Sequence, residues 1–422
     1  MSFPKLKVSI VGLGYIGLPT AAVLASVGHE VVGVEVSQSI VDVVNRGEIH
    51  IVEPDLDGLV HAAVHSGRLR AVMAAEPADA FIVAVPTPFM NDHQPDLRYV
   101  EQAARTIAPQ LQRGNLVILE STSPVGATEK LAGWLAEERP DLSFPLSGSR
   151  ETDVHLAYCP ERVLPGSIVS ELVRNDRVVG GLTPHCAEKA RNLYETFVRG
   201  QCIETDARTA EMTKLTENAF RDVNIAFANE LSLICDRLGI DVWELIALAN
   251  RHPRVNILNP GPGVGGHCIA VDPWFIVDSA PQDARLIRIA REVNDGKPEW
   301  VLDKIAEAVA AARSRLGRRV VVACLGLAFK ANIDDLRESP SVEIVGHLAE
   351  RRLTDRLLVV EPYIEILPAA LATRACVELV EIDLALDTAD VVVLLVDHQQ
   401  FQSVPREALA GKELVDTRGV WR

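Results

Sequence analysis

Short apolar runs alternate with amphipathic stretches over the first two hundred residues of the chain. The segments KVSIV (7–11) and HEVVGVEV (29–36) predict buried strands, and LPTAAVLASVG between them predicts a helix that ends at Gly28. A strand, a helix and a second strand in this order form a unit with parallel strands, so the pattern predicts a doubly wound α/β domain. Three further strands are predicted at residues 78–86, 115–122 and 154–161.

In the middle of the chain, the apolar residues recur at helical intervals. Residues 207–238 contain no glycine or proline, and their apolar residues recur at helical intervals, which predicts one long helix. Gly239 ends this helix, and Asp241 is placed to cap the next one. Another helix is predicted over about 283–316, with Pro298 as the point where it would kink. A helical segment of this kind often joins two domains or forms the core of a dimer.

Strands and helices alternate again from Arg318 onwards. The segments RRVVVACLG, RLLVVEP, ADVVVLLVD and ELVDTRG predict strands, and a helix begins at Pro340. In both halves an acid, Glu35 or Glu361, stands at the end of the second strand. We therefore expect an α/β protein with two Rossmann-like doubly wound domains joined by a central helical dimerisation domain. The predicted domains comprise residues 1–203, 204–316 and 317–422.

Composition and charge limit the kinds of partner that the chain is expected to bind. With 422 residues, 48% of them hydrophobic, the chain can bury a large core, and its net charge of -16 disfavours nucleic acid and anionic membranes. Its seven cysteines are scattered, without a CxxC pair or a histidine cluster, so we expect reduced thiols and no bound metal. No apolar signal segment opens the chain and no apolar run is long enough to cross a bilayer, which predicts a soluble, cytoplasmic protein.

A glycine pattern follows the first predicted strand. Gly12, Gly14 and Gly17 fit G-x-G-x-x-G, and Glu35 ends the next strand 18 residues after Gly17. In a dinucleotide site the glycines let the backbone approach the pyrophosphate, while the acid accepts from the ribose hydroxyls. A carboxylate there disfavours a 2'-phosphate, so NAD is expected over NADP. The alternative is a glycine-rich turn in a sheet that binds no ligand.

A second glycine-rich stretch, GPGVGGHC, ends at Cys268. So many glycines predict unusual backbone conformations or a close approach to a ligand, and the thiol is a candidate nucleophile. Loop N–H groups, His267 or a basic residue from elsewhere in the chain would have to activate it. The alternative is a small buried cysteine in a glycine loop.

Lys214, Asn218 and Arg221 lie four and then three residues apart on the long predicted helix and so share one face. They form either a solvated polar face or a ligand site. Apolar neighbours predict a largely enclosed helix, which favours a ligand site; these neighbours are Leu215, Phe220, Ile225 and Phe227. An NAD site together with a nucleophilic cysteine indicates aldehyde oxidation through a thiohemiacetal and a thioester.

Seven segments, in order over nearly the whole chain, resemble the UDP-glucose/GDP-mannose dehydrogenase family. They are GLGYIGLPTA, VPTP, ESTSPVG, YCPERVLPG, KLTENAFRDVNIAFANE, GGHCIAVDPW and GLAFKANIDDLRESP. The resemblance implies a four-electron oxidation of the C6 alcohol of a UDP-sugar to a carboxylate, with two NAD consumed in sequence.

The resemblance also implies roles for single residues. Cys268 matches the nucleophile, and Lys214 matches an amine that stabilises oxyanions and assists proton transfer. Asn218 would donate to the same oxygen. Asp272 would position Lys214 or the hydrolytic water, and Glu161 would act as a further acid or base. The alternative for the two carboxylates is a purely structural role as hydrogen-bond acceptors.

Further positions match ligand contacts of the family. Besides the three glycines, those for NAD are Tyr15, Ile16, Glu35, Thr87, Thr122, Thr128 and Arg337. Those for the sugar nucleotide are Arg162, Val163, Lys214, Asn218, Arg221, His252, Arg254, Gly265 and Lys330. In the family the segment HPR comes from a neighbouring subunit, which implies a homodimer or larger homo-oligomer.

The resemblance also indicates which sugar nucleotide is the substrate. RGEIHIVEPDL, NRHPRVNIL and VDTRGVWR look most like the family members that oxidise UDP-N-acetyl-D-mannosamine to its uronate for surface polysaccharides. UDP-N-acetylglucosamine and UDP-glucose compete with this substrate, since the sugars differ by few groups. Two hypotheses of a different class compete with the whole interpretation. One is a two-electron β-hydroxyacid-type dehydrogenase, which needs no cysteine, and the second is a catalytically silent sugar-nucleotide sensor.

Overall fold

The computed structural model describes residues 4–90, 93–146, 152–164, 166–266 and 268–421. The chain divides into two compact units. The first comprises Met1–Glu217 with Asp278–Ala280, and the second comprises Asn218–Val277 with Pro281–Arg422.

The first unit is built on an eight-stranded sheet with helices packed against it. Its strands are β1 (Lys7–Val11), β2 (Glu30–Val34), β3 (Leu69–Val72), β4 (Ala80–Val83), β5 (Leu116–Leu119), β6 (His155–Tyr158), β7 (Arg177–Gly181) and β8 (Cys202–Asp206). Its helices are α1 (Gly17–Ser26), α2 (Gln38–Asn45), α3 (Leu56–His65), α4 (Arg98–Ile107), α5 (Ala127–Glu138), α6 (Ile168–Arg174) and α7 (Pro184–Tyr194), with a 3₁₀ turn at Ala108–Gln110.

The strands of this sheet follow the order β3-β2-β1-β4-β5-β6-β7-β8 and are parallel except for the β6–β7 pair. Lys7 lies opposite Glu30, and Val11 lies opposite Val34. Successive residues of β4 face opposite layers: Ile82 packs into one apolar cluster and Phe81 into the other. The strand order reverses between β1 and β4, and in open α/β sheets ligands bind beyond the carboxyl ends of the strands at this point.

The second unit combines helices with a smaller parallel sheet of order β11-β10-β9-β12-β13. Its strands are β9 (Val321–Leu325), β10 (Arg356–Val360), β11 (Val377–Leu379), β12 (Val391–Leu394) and β13 (Glu413–Asp416). Helix α8 (Ala207–Leu238) begins in the first unit, and α10 (Asp272–Ser279) begins in the second. The other helices are α9 (Val242–Ala249), α11 (Arg285–Leu316), α12 (Pro340–Arg351), α13 (Ala369–Ala372), α14 (Ile382–Thr388) and α15 (Gln399–Gln402), with a 3₁₀ turn at Arg406–Leu409.

The predicted fold class is confirmed, and several predicted helix ends are found as well. The long helix runs over Ala207–Leu238, and the Asp241 carboxylate accepts from the backbone N–H of Trp243 at 2.8 Å and of Glu244 at 3.2 Å, which caps α9. Helix α11 continues through Pro298 to Leu316. Among the described residues, no helix has the length and apolar character needed to cross a membrane.

One expectation about α8 is wrong. Leu215 is fully buried, yet Phe220 and Phe227 are exposed, so the helix is not enclosed. Five and twelve residues after Leu215, these two rings point about a third of a turn or more away from it around the helix, away from the core that Leu215 enters. Apolar residues at helical spacing showed that α8 is a helix, but not which of its faces the chain covers.

Candidate active site

The turn after β1 requires glycine at two positions and leaves the backbone open at a third. Gly12 has a φ of 93°, and a Cβ on it would lie 2.6 Å from the Ala84 carbonyl oxygen. A Cβ on Gly17 would overlap the Gly12 carbonyl oxygen. By contrast, a Cβ on Gly14 would meet no atom within 4 Å. The bare backbone at Gly14 is therefore free for the close approach of a ligand.

Glu35 follows β2 and is held beside this turn by backbone N–H groups. One carboxylate oxygen accepts from Leu13 at 3.1 Å, and the other accepts from Val36 at 2.8 Å and Ser37 at 3.2 Å. An anchored carboxylate at the end of the second strand is placed to bind ribose hydroxyls. Together with the open backbone at Gly14, it fits the adenosine half of a dinucleotide.

Thr87 and Thr128, two further residues predicted to contact NAD, use their hydroxyls for hydrogen bonds within the first unit. The Thr87 hydroxyl donates to the Thr122 carbonyl oxygen. Thr128 is fully buried, and its hydroxyl donates to Glu211 at 2.6 Å. The same carboxylate accepts from the backbone N–H of Gly126 at 2.7 Å and of Thr128 at 2.8 Å. Glu211 on α8 therefore fixes the start of α5. The neighbours of the glycine turn differ, since Tyr15 is exposed and Ile16 is half-buried.

Glu161 lies just beyond β6, where both carboxylate oxygens are in contact with other groups. One accepts from the Arg162 backbone N–H at 2.8 Å, and the other lies 2.8 Å from Nη1 of Arg177 on β7. Arg162 itself pairs with Glu217 at 2.6 Å and donates to the Asp176 carbonyl oxygen at 2.6 Å. The structure thus orders the segment that contains Arg162 and the half-buried Val163.

Arg177 is buried and also faces a second carboxylate, Glu120, at 3.9 Å. The Tyr194 hydroxyl donates to Glu120 at 2.6 Å, and the guanidinium lies 5.1 Å from the centre of the Tyr194 ring. Burial raises the pKa of Glu120 to about 7. Sequence reasoning missed these three residues. Arg177 lies in an ordinary strand pattern, so only the tertiary structure shows that it shares its charge between two carboxylates.

The second unit brings Cys268, Asp272 and Asn218 together. Cys268 is exposed, and its carbonyl oxygen accepts from the Asp272 backbone N–H at 2.9 Å, where α10 begins. The buried Asp272 carboxylate accepts from the Asn218 side chain at 2.5 Å. Lys214, one helical turn before Asn218 on α8, is half-buried. His267 lies outside the described residues.

The glycine loop before Cys268 is packed too tightly for side chains. A Cβ on Gly265 would lie 2.5 Å from the Glu338 carbonyl oxygen, and one on Gly266 would lie 2.9 Å from the Phe329 ring. Gly266 also has a φ of 81° and donates its N–H to the Arg337 carbonyl oxygen at 3.2 Å. Glycine is required here because segments of the C-terminal domain lie directly against the loop.

The HPR segment (residues 252–254) is exposed, but hydrogen bonds between Asn250 and Ile257 hold the loop that contains it. Asn250 accepts from the Ile257 N–H at 2.7 Å and donates to the Ile257 carbonyl oxygen at 2.9 Å, which closes the loop carrying His252 and Arg254. Both of these side chains are exposed.

The remaining predicted cations also lie at the surface. Arg221 and Lys330 are exposed, and Arg337, exposed as well, pairs with Asp335 at 2.6 Å. Charged groups at these positions are available to an anionic ligand without the cost of uncovering buried charge.

Three domains of a single protein family match the chain, one after another along the sequence. The NAD binding domain of the UDP-glucose/GDP-mannose dehydrogenase family matches residues 6–198, its central domain matches 208–296 and its UDP binding domain matches 323–422. The chain belongs to the UDP-glucose/GDP-mannose dehydrogenase family. It is thus an NAD-dependent UDP-sugar dehydrogenase, and the predicted family, cofactor and class of enzyme are confirmed.

Individual relatives cover the full length. The chain is 61% identical to the UDP-N-acetyl-D-mannosamine dehydrogenase of Escherichia coli K12 over 425 residues, with 100% of each chain covered. It is 64% identical to the NDP-N-acetyl-D-galactosaminuronic acid dehydrogenase of Ralstonia nicotianae over 414 residues, which is 98% of this chain and 96% of that one. A solved UDP-D-ManNAc dehydrogenase from Pyrococcus horikoshii is similar with a TM-score of 0.85 and 38% identity, covering 99% of this chain and 96% of that one.

Gly14→Ala tests the open backbone of the dinucleotide turn. Because the added methyl meets no protein atom, we expect an unchanged melting temperature but NAD binding weakened about tenfold or more, measured by calorimetric titration. Gly133→Ala is the control: its Cβ also meets nothing, but it lies within α5, and NAD affinity should not change. Unchanged NAD affinity in Gly14→Ala would contradict a dinucleotide at this turn.

Glu120→Gln tests the buried carboxyl. Because the pKa of Glu120 is raised from 4.5 to about 7, the folded chain holds an extra proton between these pH values, and wild-type stability falls as pH rises through this window. We expect the variant to be about 3 kcal/mol more stable than wild type at pH 8, with the difference shrinking toward pH 5. Denaturant unfolding at both pH values measures this. Glu137→Gln, at an exposed position, should show no such trend, and a pH-independent difference for Glu120→Gln would argue against the raised pKa.

Proposed function

We propose that the chain oxidises the C6 alcohol of UDP-N-acetyl-D-mannosamine to the carboxylate, giving UDP-N-acetyl-D-mannosaminuronate, with Cys268 as the nucleophile. The observation that carries this proposal is the placement of Cys268. Cys268 is exposed and lies four residues before Asp272, the first residue of α10. The Asp272 backbone N–H donates to the Cys268 carbonyl oxygen, and the Asp272 carboxylate accepts from the Asn218 amide. An exposed cysteine in the same turn as a buried carboxylate that holds a half-buried amide suits a reaction centre better than a packing role.

The cysteine is needed for the second of two oxidations. NAD, when bound, supplies the hydride acceptor for both. The Cys268 sulfur bonds to the aldehyde carbon formed in the first oxidation and gives a thiohemiacetal. Loss of a hydride from that carbon leaves a thioester, and attack by water then releases the carboxylate and restores the thiol. The overall reaction consumes one water and releases three protons with the two hydrides.

The polar residues have separate roles in this proposal. The Lys214 ammonium stabilises the oxyanions of the alcohol and of the tetrahedral adducts and takes part in proton transfer. Asn218 gives one amide N–H to Asp272 and keeps a second for the substrate oxygen. Asp272, accepting from Asn218, orients this amide or the attacking water. Glu161, oriented by Arg177, is a further acid or base.

Full-length similarity supports the N-acetyl-D-mannosamine sugar. The relatives from Escherichia coli and Salmonella typhi that carry this substrate in their names are 61% and 60% identical to the chain over 100% of its length. A second candidate is the corresponding N-acetyl-D-galactosamine nucleotide, because the Ralstonia nicotianae relative at 64% identity is named for the galactosaminuronic acid.

A substrate panel separates these sugars. We expect kcat/KM for UDP-N-acetylmannosamine to exceed that for UDP-N-acetylgalactosamine, UDP-N-acetylglucosamine and UDP-glucose by about tenfold or more, because a site that binds the acetamido and hydroxyl groups of one epimer leaves polar groups unpaired with another. Initial rates of NADH formation measure this. A preference for the galacto epimer would overturn the substrate and leave the chemistry intact.

Cys268→Ser tests the covalent mechanism. We expect uronate formation to fall by about a thousandfold or more, because an alcohol at this position is a much weaker nucleophile and serine esters are harder to form here. Chromatographic assay of the uronate measures the loss. Cys376→Ser, at a half-buried position before β11, should retain wild-type rates. Wild-type turnover in Cys268→Ser would favour the two-electron β-hydroxyacid-type reaction.

The proposal also includes a homodimer, and the exposed apolar face of α8 supports it. Its apolar residues recur every seven positions, so they lie along one side of the helix. Their exposed fractions are 71% for Phe220, 51% for Phe227 and 46% for Ile234. An exposed stripe with two aromatic rings is unfavourable in water, and a second copy of the same helix would cover it.

Phe227→Asp tests this dimer. We expect the variant to become monomeric and to lose most of its activity, because a buried unpaired carboxylate opposes association and the HPR segment is proposed to complete the partner's site. Light scattering coupled to size-exclusion chromatography measures the mass. Phe227→Leu keeps the apolar surface and should remain dimeric, and a dimeric Phe227→Asp would place the interface elsewhere.

A further inference from the structure

Two buried polar residues of α8 have no part in the proposed chemistry. Asp222 and Asn229 follow Asn218 by four and eleven residues, about one and three turns, so all three lie on the same side of the helix. Asp222 and Asn229 are both fully buried. Buried polar side chains are unfavourable unless they are hydrogen-bonded, so their partners indicate what they hold in place.

These residues belong to a chain of hydrogen bonds that ends on the glycine loop. The Asn229 side-chain oxygen accepts from the Gly261 backbone N–H at 2.9 Å, and its amide nitrogen donates to Asn294 on α11 at 2.8 Å. Asn294 in turn donates to the Asp222 carboxylate at 2.8 Å, and Arg291 donates to the same oxygen at 2.6 Å. All five residues belong to the second unit.

The direction of each bond in this chain is determined by its neighbours. Gly261 presents its N–H at this contact, so Asn229 must turn its oxygen toward it and its amide nitrogen toward Asn294. Asp222 as a carboxylate only accepts, so Asn294 must turn its amide nitrogen to Asp222 and its oxygen to Asn229. Because flipping either amide would bring donor against donor and acceptor against acceptor, Asn229 and Asn294 are each held in one orientation.

The glycine loop depends on contacts of this kind. Glycine has no side chain with which to anchor itself and loses more conformational freedom on ordering than any other residue. Gly261, Gly263, Gly265 and Gly266 lie in the six residues that lead toward Cys268. Asn229 binds the first of these residues, while the Arg337 carbonyl oxygen binds Gly266. The loop is therefore held at both ends, and a side chain of α8 holds its beginning.

We propose that Asn229 is a positioning residue for Cys268: with Asn294 and Asp222 it ties the start of the glycine loop to the helix that carries Asn218. The inference rests on the proposed function, in which Cys268 is the nucleophile and Asn218 contacts the substrate. A loop tied to α8 at Gly261 keeps the thiol at a constant distance from the Asn218–Asp272 pair. Loss of the tie leaves the chemistry possible but lowers the fraction of molecules that are in the reactive arrangement.

Asn229→Ala and Asn229→Asp separate positioning from folding. Alanine removes the acceptor for Gly261, whereas aspartate keeps that acceptor but replaces the donor to Asn294 with a second oxygen, which faces the Asn294 oxygen. We expect kcat to fall about tenfold to a hundredfold in Asn229→Ala with KM for NAD within about twofold of wild type, and to recover part of that loss in Asn229→Asp. The rate at which iodoacetamide alkylates Cys268, followed by peptide mass spectrometry, should change several-fold in Asn229→Ala only.

Asn45→Ala is the matched control. Asn45, in the first unit, likewise accepts from a backbone N–H and donates to a backbone carbonyl, both of Ala71, at 2.8 and 2.9 Å. Its loss should lower the melting temperature without changing kcat or the alkylation of Cys268. Should Asn229→Ala fail to fold, Asn294→Ala decides: a smaller change in the same two quantities supports the proposal, and wild-type values overturn it.

The outcomes also separate this inference from the proposed function. Wild-type kcat and alkylation in Asn229→Ala, or a loss of kcat that Asn45→Ala shares in proportion to its melting temperature, overturn the positioning role. If Cys268→Ser is inactive at the same time, the proposed chemistry stands and only the inference fails. If Cys268→Ser keeps full turnover, the proposed function itself is wrong.

Discussion

The polar side chains of α8 are the constraint on which the candidate site depends. In the first unit, Glu211 binds the backbone N–H groups of Gly126 and Thr128 and so fixes the start of α5. In the second unit, Asn218 binds Asp272 at the start of α10, and Asn229 binds Gly261 at the start of the glycine loop. Each bond replaces a hydrogen bond that its partner, a backbone N–H group or the Asp272 carboxylate, would otherwise make with water. Within each unit, the part of α8 that belongs to it thus sets the position of the segments that its side chains bind.

The two sheets use a glutamate at the same place, after the second strand, for different purposes. Glu35 and Glu361 both follow the second strand of their sheet, and both accept from the turn after the first strand. Glu35 stays partly accessible beside the open backbone of its glycine turn. Glu361 is buried, and its carboxylate is occupied by the backbone N–H groups of Leu327 and Ala328 and by His398.

The hydrogen bonds of His398 show why the Glu361 carboxylate has a structural role. Its Nδ1 accepts from the Asn332 N–H at 2.9 Å, so the proton of the neutral ring is on Nε2, which donates to Glu361 at 3.1 Å. Every polar atom of this pair has a partner within the domain. The second sheet therefore keeps the Rossmann arrangement but uses its acid to hold the loop that leads to Lys330, whereas the first sheet leaves its acid available to a nucleotide.

Much of the fold could be predicted from the sequence because its signals are local. The bounds of α8 and the cap at Asp241 follow from the absence of glycine and proline and from one well-placed side chain. The partners of Arg177 and Asn229 could not be predicted, since each lies in an ordinary strand or helix pattern and meets its partners only after the chain folds. The exposure of Phe220 was predicted wrongly because an apolar residue at helical spacing does not reveal whether its own chain or a second copy covers it. The motifs around Cys268 and Asn218 predict a chemistry for them, and their individual roles stay a proposal.

In the proposed four-electron oxidation, Cys268 carries the acyl group. The most direct test is the number of NADH molecules formed per UDP-N-acetylmannosamine consumed, with excess NAD and the reaction run to completion. We expect two NADH per sugar, with the uronate as the product and no free aldehyde. A value of one NADH per sugar would contradict it, because the thioester step would then not take place.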